Sequence, residues 1–167
     1  MSDEQRPDPP SIDEAHPRAR EALTEAFFWD ADDPAGPFGN DTALEVLEAL
    51  RDLRDEDREV SPIPLLGELL ARWEIADEGW DVVDEGEVSA LGAEDELGLL
   101  VRDEAVLALA LGDLMITGRV DAEVRRRAVL ALTRQALPAL LHGFGDRMRA
   151  REERVAKMRE VLSRRWD

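Results

Sequence analysis

The sequence has no cysteine and no tyrosine. The first absence removes disulfides, thiolate catalysis and sulfur-rich metal sites together. Lysine occurs once, as Lys157, while arginine is plentiful. With many Ala, Leu and Val beside it, this bias reads as GC-rich coding, salt adaptation being the rival explanation. Histidine occurs only at positions 16 and 142. No apolar run reaches the ~18 residues of a membrane span. The first fifteen residues, acidic and proline-rich, resemble neither a signal nor a transit peptide. The expectation is a cytoplasmic protein with no membrane association. Phosphate-cradling glycine loops and dinucleotide fingerprints are missing, so no cofactor is expected. Ser11, Ser61, Ser89 and Ser163 stand in no nucleophile-elbow or Ser-x-x-Lys context. The chain therefore leans away from an enzyme, although an acid–base pair assembled by the fold stays open.

What is present is charge. The 167 residues carry a formal −18, and it is split unevenly. Residues 1–100 hold 29 acids and 7 bases, a net −22, whereas residues 101–167 hold 10 acids and 14 bases, a net +4. An acidic front repels nucleic-acid phosphates and anionic lipid and attracts a cationic partner. The plainer reading is that the two halves complement each other within one fold and the excess keeps it in solution. Hydrophobic content of 44% is ordinary for a globular chain of one domain.

The spacing of apolar residues is helical almost throughout. Residues 1–15 read as a disordered tail, with a capping-box spacing at Ser11–Glu14, and residues 16–167 as a single α-helical domain. A helix from Pro17 to Phe28 places Ala19, Leu23, Ala26 and Phe27 on one face. Pro34, Gly36, Pro37 and Gly39 break the next stretch. Thr42 opens a helix to Arg54 with Leu44, Leu47 and Leu50 inward, and Ser61-Pro62 opens another through Trp73. From Glu74 to Glu96 the pattern dissolves into an acidic loop, with a weak strand signal at Gly79–Val83. The most apolar segment, Leu97–Ile116, reads as the central helix. Its strip of Ala105, Ala108 and Gly112 lets another helix approach closely, and Arg102, Asp103, Glu104 and Asp113 exclude a membrane span. Asp121 caps a helix reaching His142 with a kink at Pro138, and Asp146 caps a last, arginine-rich one. The fold class is all-α, a bundle of about five to seven helices. An irregular Pro/Gly/aromatic loop lies near its start and an acidic loop at its centre.

The carboxylates Asp30, Asp32, Asp33 and Asp41 invite a calcium-loop reading. With Asp30 at position 1, position 5 is Pro34 and the turn glycine is Ala35, so the pattern fails. Capping and pairing with arginine explain these acids better. His142 at a helix end is explained by the helix dipole, and no metal site is expected. The basic final helix carries glutamates and lacks interleaved aromatics, which argues against nucleic acid. Phe28, Trp29 and Phe38 read as rings that pin a loop to the core, leaving Asp32 and Asp33 outside.

The motif Phe28-Trp29-Asp30 followed by Pro37-Phe38-Gly39-Asn40-Asp41, with Gly118-Arg119-Val120-Asp121 further on, resembles the uncharacterised bacterial YfeS-like family. Some members of that family are associated with WGR-domain or molybdate-regulator-type proteins. The likeness runs from His16 to Leu162 and departs at Ala43, where a glycine is expected. It implies no settled activity and transfers no catalytic residue. The functional expectation is a non-enzymatic interaction module of regulatory or immunity type, monomeric or a small homo-oligomer. It would meet a basic protein through Asp32, Asp33, Asp77, Glu78, Asp81, Asp84 and Glu85. The alternative is a metal-binding protein or enzyme using the 30–41 carboxylates.

Overall fold

Burial of one long apolar helix organises the chain. The computed structural model describes residues 6–167, in which all regular structure is helical. The elements are α1 (Pro17–Ala22), α2 (Asp41–Glu56), α3 (Ile63–Arg72), α4 (Glu85–Glu94), α5 (Glu96–Thr117), α6 (Ala122–Gln135), α7 (Pro138–Leu141) and α8 (Met148–Leu162). Short 3-10 turns at Ala26–Trp29 and His142–Arg147 complete it. Helix α5 is apolar on nearly every side, and such a helix is stable in water only when covered all round. Helix α2 lies along one side of it and α6 along another, with α1, α3 and α4 filling the remainder and α8 packed on α6.

The small-residue strip does what its composition predicts. A Cβ added to Gly112 would come within 3.1 Å of both Leu47 and Leu50, so the missing side chain is what lets α2 approach. Leu44, Leu47 and Leu50 are fully buried there. At about 25 cal/mol per Å² of apolar surface, each such leucine contributes roughly 2 kcal/mol. The Asp95 carboxylate caps the start of α5 by accepting from the Gly98 N–H. Gly118, at φ +73°, ends it in the left-handed conformation.

Several expected boundaries move. The first helix stops at Ala22 rather than Phe28. The Trp29 indole donates to the Leu23 carbonyl at 2.9 Å and turns the chain inward. The cap of α2 is Asn40, accepting from the Ala43 N–H at 2.8 Å, not Thr42. The acidic 74–96 stretch is not all loop: Asp84 caps α4, which occupies Glu85–Glu94, and no strand forms at 79–83. Helix α6 ends at Gln135 instead of kinking through to His142. Leu137 is extended, as a residue before proline should be, and Pro138 starts α7 afresh. Arg147, not Asp146, stands at the cap of α8. Of the expected tail, residues 1–5 lie outside the described residues. Residues 8 and 9 are held to α2, where the Arg51 guanidinium donates to both carbonyls at 2.9 Å, and Pro10 is buried. At the other end the Val120 N–H donates to the Trp166 carbonyl, and the buried Trp166 ring closes the bundle.

Candidate interaction surface

The arginines of the second half reach into the acidic first half and divide its carboxylates into two populations. The inner population is neutralised by the fold. Asp103 on α5 and Arg134 on α6 form a fully buried pair at 2.7 Å, and the Gln135 amide donates to the other Asp103 oxygen at 2.8 Å. Burial pushes the Asp103 carboxyl up and Arg134 pulls it back. The same guanidinium donates to the carbonyls of Trp80 and Val82 at 2.8 and 2.9 Å, and Arg102 donates to Ala76. These bonds pin the loop after α3 to the core by its backbone. Its side chains are then met one by one. The Trp80 indole donates to Asp77, Arg127 lies over the Trp80 ring, and Arg126 pairs with Asp81. Hydrogen bonds from Arg126 and Arg127 hold Glu123 down at about 2.

The 30–41 junction is built the same way. Phe28 and Phe38 are fully buried, while Trp29 is half-buried and donates from its indole. Asp30 accepts from the Asp32 N–H and Asp33 from the Ala35 N–H. Asp33 does not stay outside: its side chain is 15% exposed and pairs with Arg154 at 2.6 Å. Asp32, 88% exposed, meets only Arg6, at 3.5 Å. Gly39 lies against the backbone of Asp33 and Pro34, a contact no side chain would permit, which accounts for the glycine in the motif. Among the described residues, no three His, Asp or Glu side chains come together as metal ligands.

A second buried layer escaped sequence reasoning. Arg54 on α2 forks onto Asp113 on α5 at 2.7 and 2.8 Å and donates to the carbonyls of Asp57 and Val60. This pair floors a cleft of about 250 Å³ rimmed by Arg58, Arg119 and Trp166. Four of the five Arg54 N–H groups are engaged by these bonds, and the rim mixes both charges. On the opposite side Arg151 of α8 donates to the Ala35 carbonyl and the Gln135 side-chain oxygen beneath the Phe144 ring. Near it, burial pushes Glu104 up to about 7, against the pull of Arg151. The signal for this layer was the presence of Arg102, Asp103, Glu104 and Asp113 in the most apolar segment. They read as an argument against a membrane span; the stronger inference is that each needs a buried partner.

The outer population of carboxylates has no such partners. Asp41, Glu45, Glu48 and Asp52 recur at helical spacing along the outer face of α2, all exposed, without a salt bridge among the described residues. Like charges at this spacing cost a few tenths of a kcal/mol each. A second group surrounds α4. Residues 73–101 contain ten acids and neither lysine nor arginine. Glu78, Glu85, Glu87, Glu94 and Glu96 are exposed and unpaired, and Asp84 serves as a cap. Beside them Leu97 is 66% exposed, the most exposed large apolar side chain described, and Leu100 is 38% exposed. Of the acids expected to make one surface, Asp33 is spent on Arg154, while Asp77, 3.9 Å from Arg127, and Asp81, paired with Arg126, stay exposed. Glu78 and Glu85 remain outward-facing, as does Leu97, the first residue of the segment that reads as the central helix. No helix of the described residues is long and apolar enough to cross a membrane.

No protein-family model, curated protein or solved structure matches this chain.

Proposed function

We propose that this chain is a cytoplasmic, non-enzymatic binding module that covers a basic protein through its acidic face. It would act as a regulatory or immunity-type partner and work as a monomer or small homo-oligomer. One observation carries the reading. Arginines neutralise the inward acids Asp33, Asp103 and Asp113, while the exposed carboxylates on α2 and around α4 have no salt bridge among the described residues, at a cost in self-repulsion. Solubility alone does not call for ten acids without one interspersed base. In the 30–41 loop Asp30 and Asp33 already hold backbone N–H groups and Arg154, which leaves only Asp32 and Asp41 for the metal-binding or enzymatic alternative.

Acidic steering of this kind speeds association and makes it salt-sensitive. The test is affinity capture from the source cells with the tagged chain, in low and in high salt. A specific partner of basic character, weakened by salt, supports the proposal. No specific partner in low salt, or one indifferent to salt, overturns it.

A further inference from the structure

Resting on the reading above, we infer that the corner between α4 and the first turn of α5 docks a basic amphipathic helix of the partner protein. Helix α4 is an unusual surface element. It buries only Val88, packs chiefly on α5, and turns Ser89, Ala90 and Ala93 outward. A helix with one buried side chain is weakly held by its own fold, and small outward residues let a visiting backbone come close. After the Asp95 bend, Leu97 and Leu100 stand three residues apart on α5 and form an apolar ridge beside them. Exposed leucines at this spacing are the kind of anchor that helix-in-groove recognition uses.

Charge complementarity fixes the occupant. Glu94 and Glu96 adjoin Leu97 in sequence and Glu87 lies on the first turn of α4, all three exposed, and neither of the nearest bases in sequence, Arg72 and Arg102, forms an ion pair with them. Arg102 donates to the Ala76 carbonyl and is buried, and Arg72 is exposed in the last turn of α3, where it favours the helix C-terminus. An apolar ridge inside an acidic rim selects a leucine-bearing helix flanked by lysine or arginine. A purely cationic segment would leave the leucines wet. A second copy of this chain would bring like charge against like at a net −18.

The probe is a synthetic helix with leucines at i, i+3, i+4 and i+7 and lysines elsewhere, titrated by fluorescence anisotropy. Leu97 and Leu100 are exposed, so Leu97→Ser with Leu100→Ser leaves the fold intact, checked by thermal melting. That variant should bind at least about tenfold more weakly than the parent. The set Glu87→Gln, Glu94→Gln and Glu96→Gln should flatten the salt dependence, and Glu45→Gln with Glu48→Gln on α2 should change little. The inference is overturned if a scrambled peptide binds equally well, if the serine variant binds like the parent, or if the α2 variant loses as much. It is likewise overturned if sedimentation shows a dimer that the serine substitutions dissolve, because the occupant is then a second copy. A partner captured in the earlier experiment and held equally by the serine variant would overturn this surface while leaving the acidic-module proposal standing.

Discussion

Glu104 offers a stability prediction whose sign is counter-intuitive. The residue lies half-buried on α5, one place from the buried Asp103, and burial raises it from 4.5 to about 7. An acid whose folded value is raised loses its proton later in the folded state than in the unfolded one. Folding is therefore penalised increasingly as pH climbs from about 4.5 to about 7, and fully above that. Each pH unit of this interval is worth about 1.4 kcal/mol, so the full penalty approaches about 3 kcal/mol. Glu104→Gln keeps the shape and the capacity to bond with the Thr42 hydroxyl and removes the charge. The variant should exceed the parent by about 3 kcal/mol at pH 8, and by under about 1 kcal/mol at pH 5. At this chain length that is a gain of about 6–12 °C in melting temperature at pH 8. Urea unfolding at pH 5, 6, 7 and 8 measures it. A variant no more stable than the parent at pH 8, or a gain that is the same at both ends, would refute the reasoning.

Other positions respond through different physics. Arg134→Met strands the buried Asp103 carboxylate and the carbonyls of Trp80 and Val82, and denaturant titration should find a loss of about 3–5 kcal/mol. Proteolysis in the 74–84 loop should accelerate in the same variant. Gly39→Ala forces a methyl group into the Asp33 backbone and should cost about 3 kcal/mol or more in the same titration. Asn40→Ala removes the cap of α2 and should cost about 1 kcal/mol by thermal melting, with the aromatic environment seen in near-ultraviolet circular dichroism unchanged. By contrast, Asp32→Asn touches an exposed carboxylate 3.5 Å from Arg6 and should shift stability by less than about 0.5 kcal/mol.

The helices were legible wherever a single apolar face had to be buried. The leucines of α2 and of α3 announce themselves by period, because each stripe has one large partner, and α5 announces itself by an apolar run too long for a strand. Helix α4 escaped because it buries only Val88, so its residues carry no stripe to read. The break after Gln135 escaped for another reason. Pro138 was read as a kink, and the restriction that proline imposes on the preceding Leu137 was the stronger effect. For the surface, the count of acids was readable, but their fates were not. Which carboxylate meets an arginine depends on contacts between residues more than a hundred positions apart, as Asp33 and Arg154 illustrate. The exposure of Leu97 was hidden for a local reason. It begins the most apolar stretch of the chain, and only the bend at Asp95 turns it outward.

The central claim is that the fold spends its inward acids on arginine and keeps the outward ones for a basic partner. The most direct test is a salt titration of the captured partner's affinity, comparing the parent with the Glu87→Gln, Glu94→Gln and Glu96→Gln variant. The account predicts that the parent's affinity falls steeply as salt rises from about 50 to 300 mM, and that the variant starts weaker and falls less. Equal affinities with the same salt slope would contradict it.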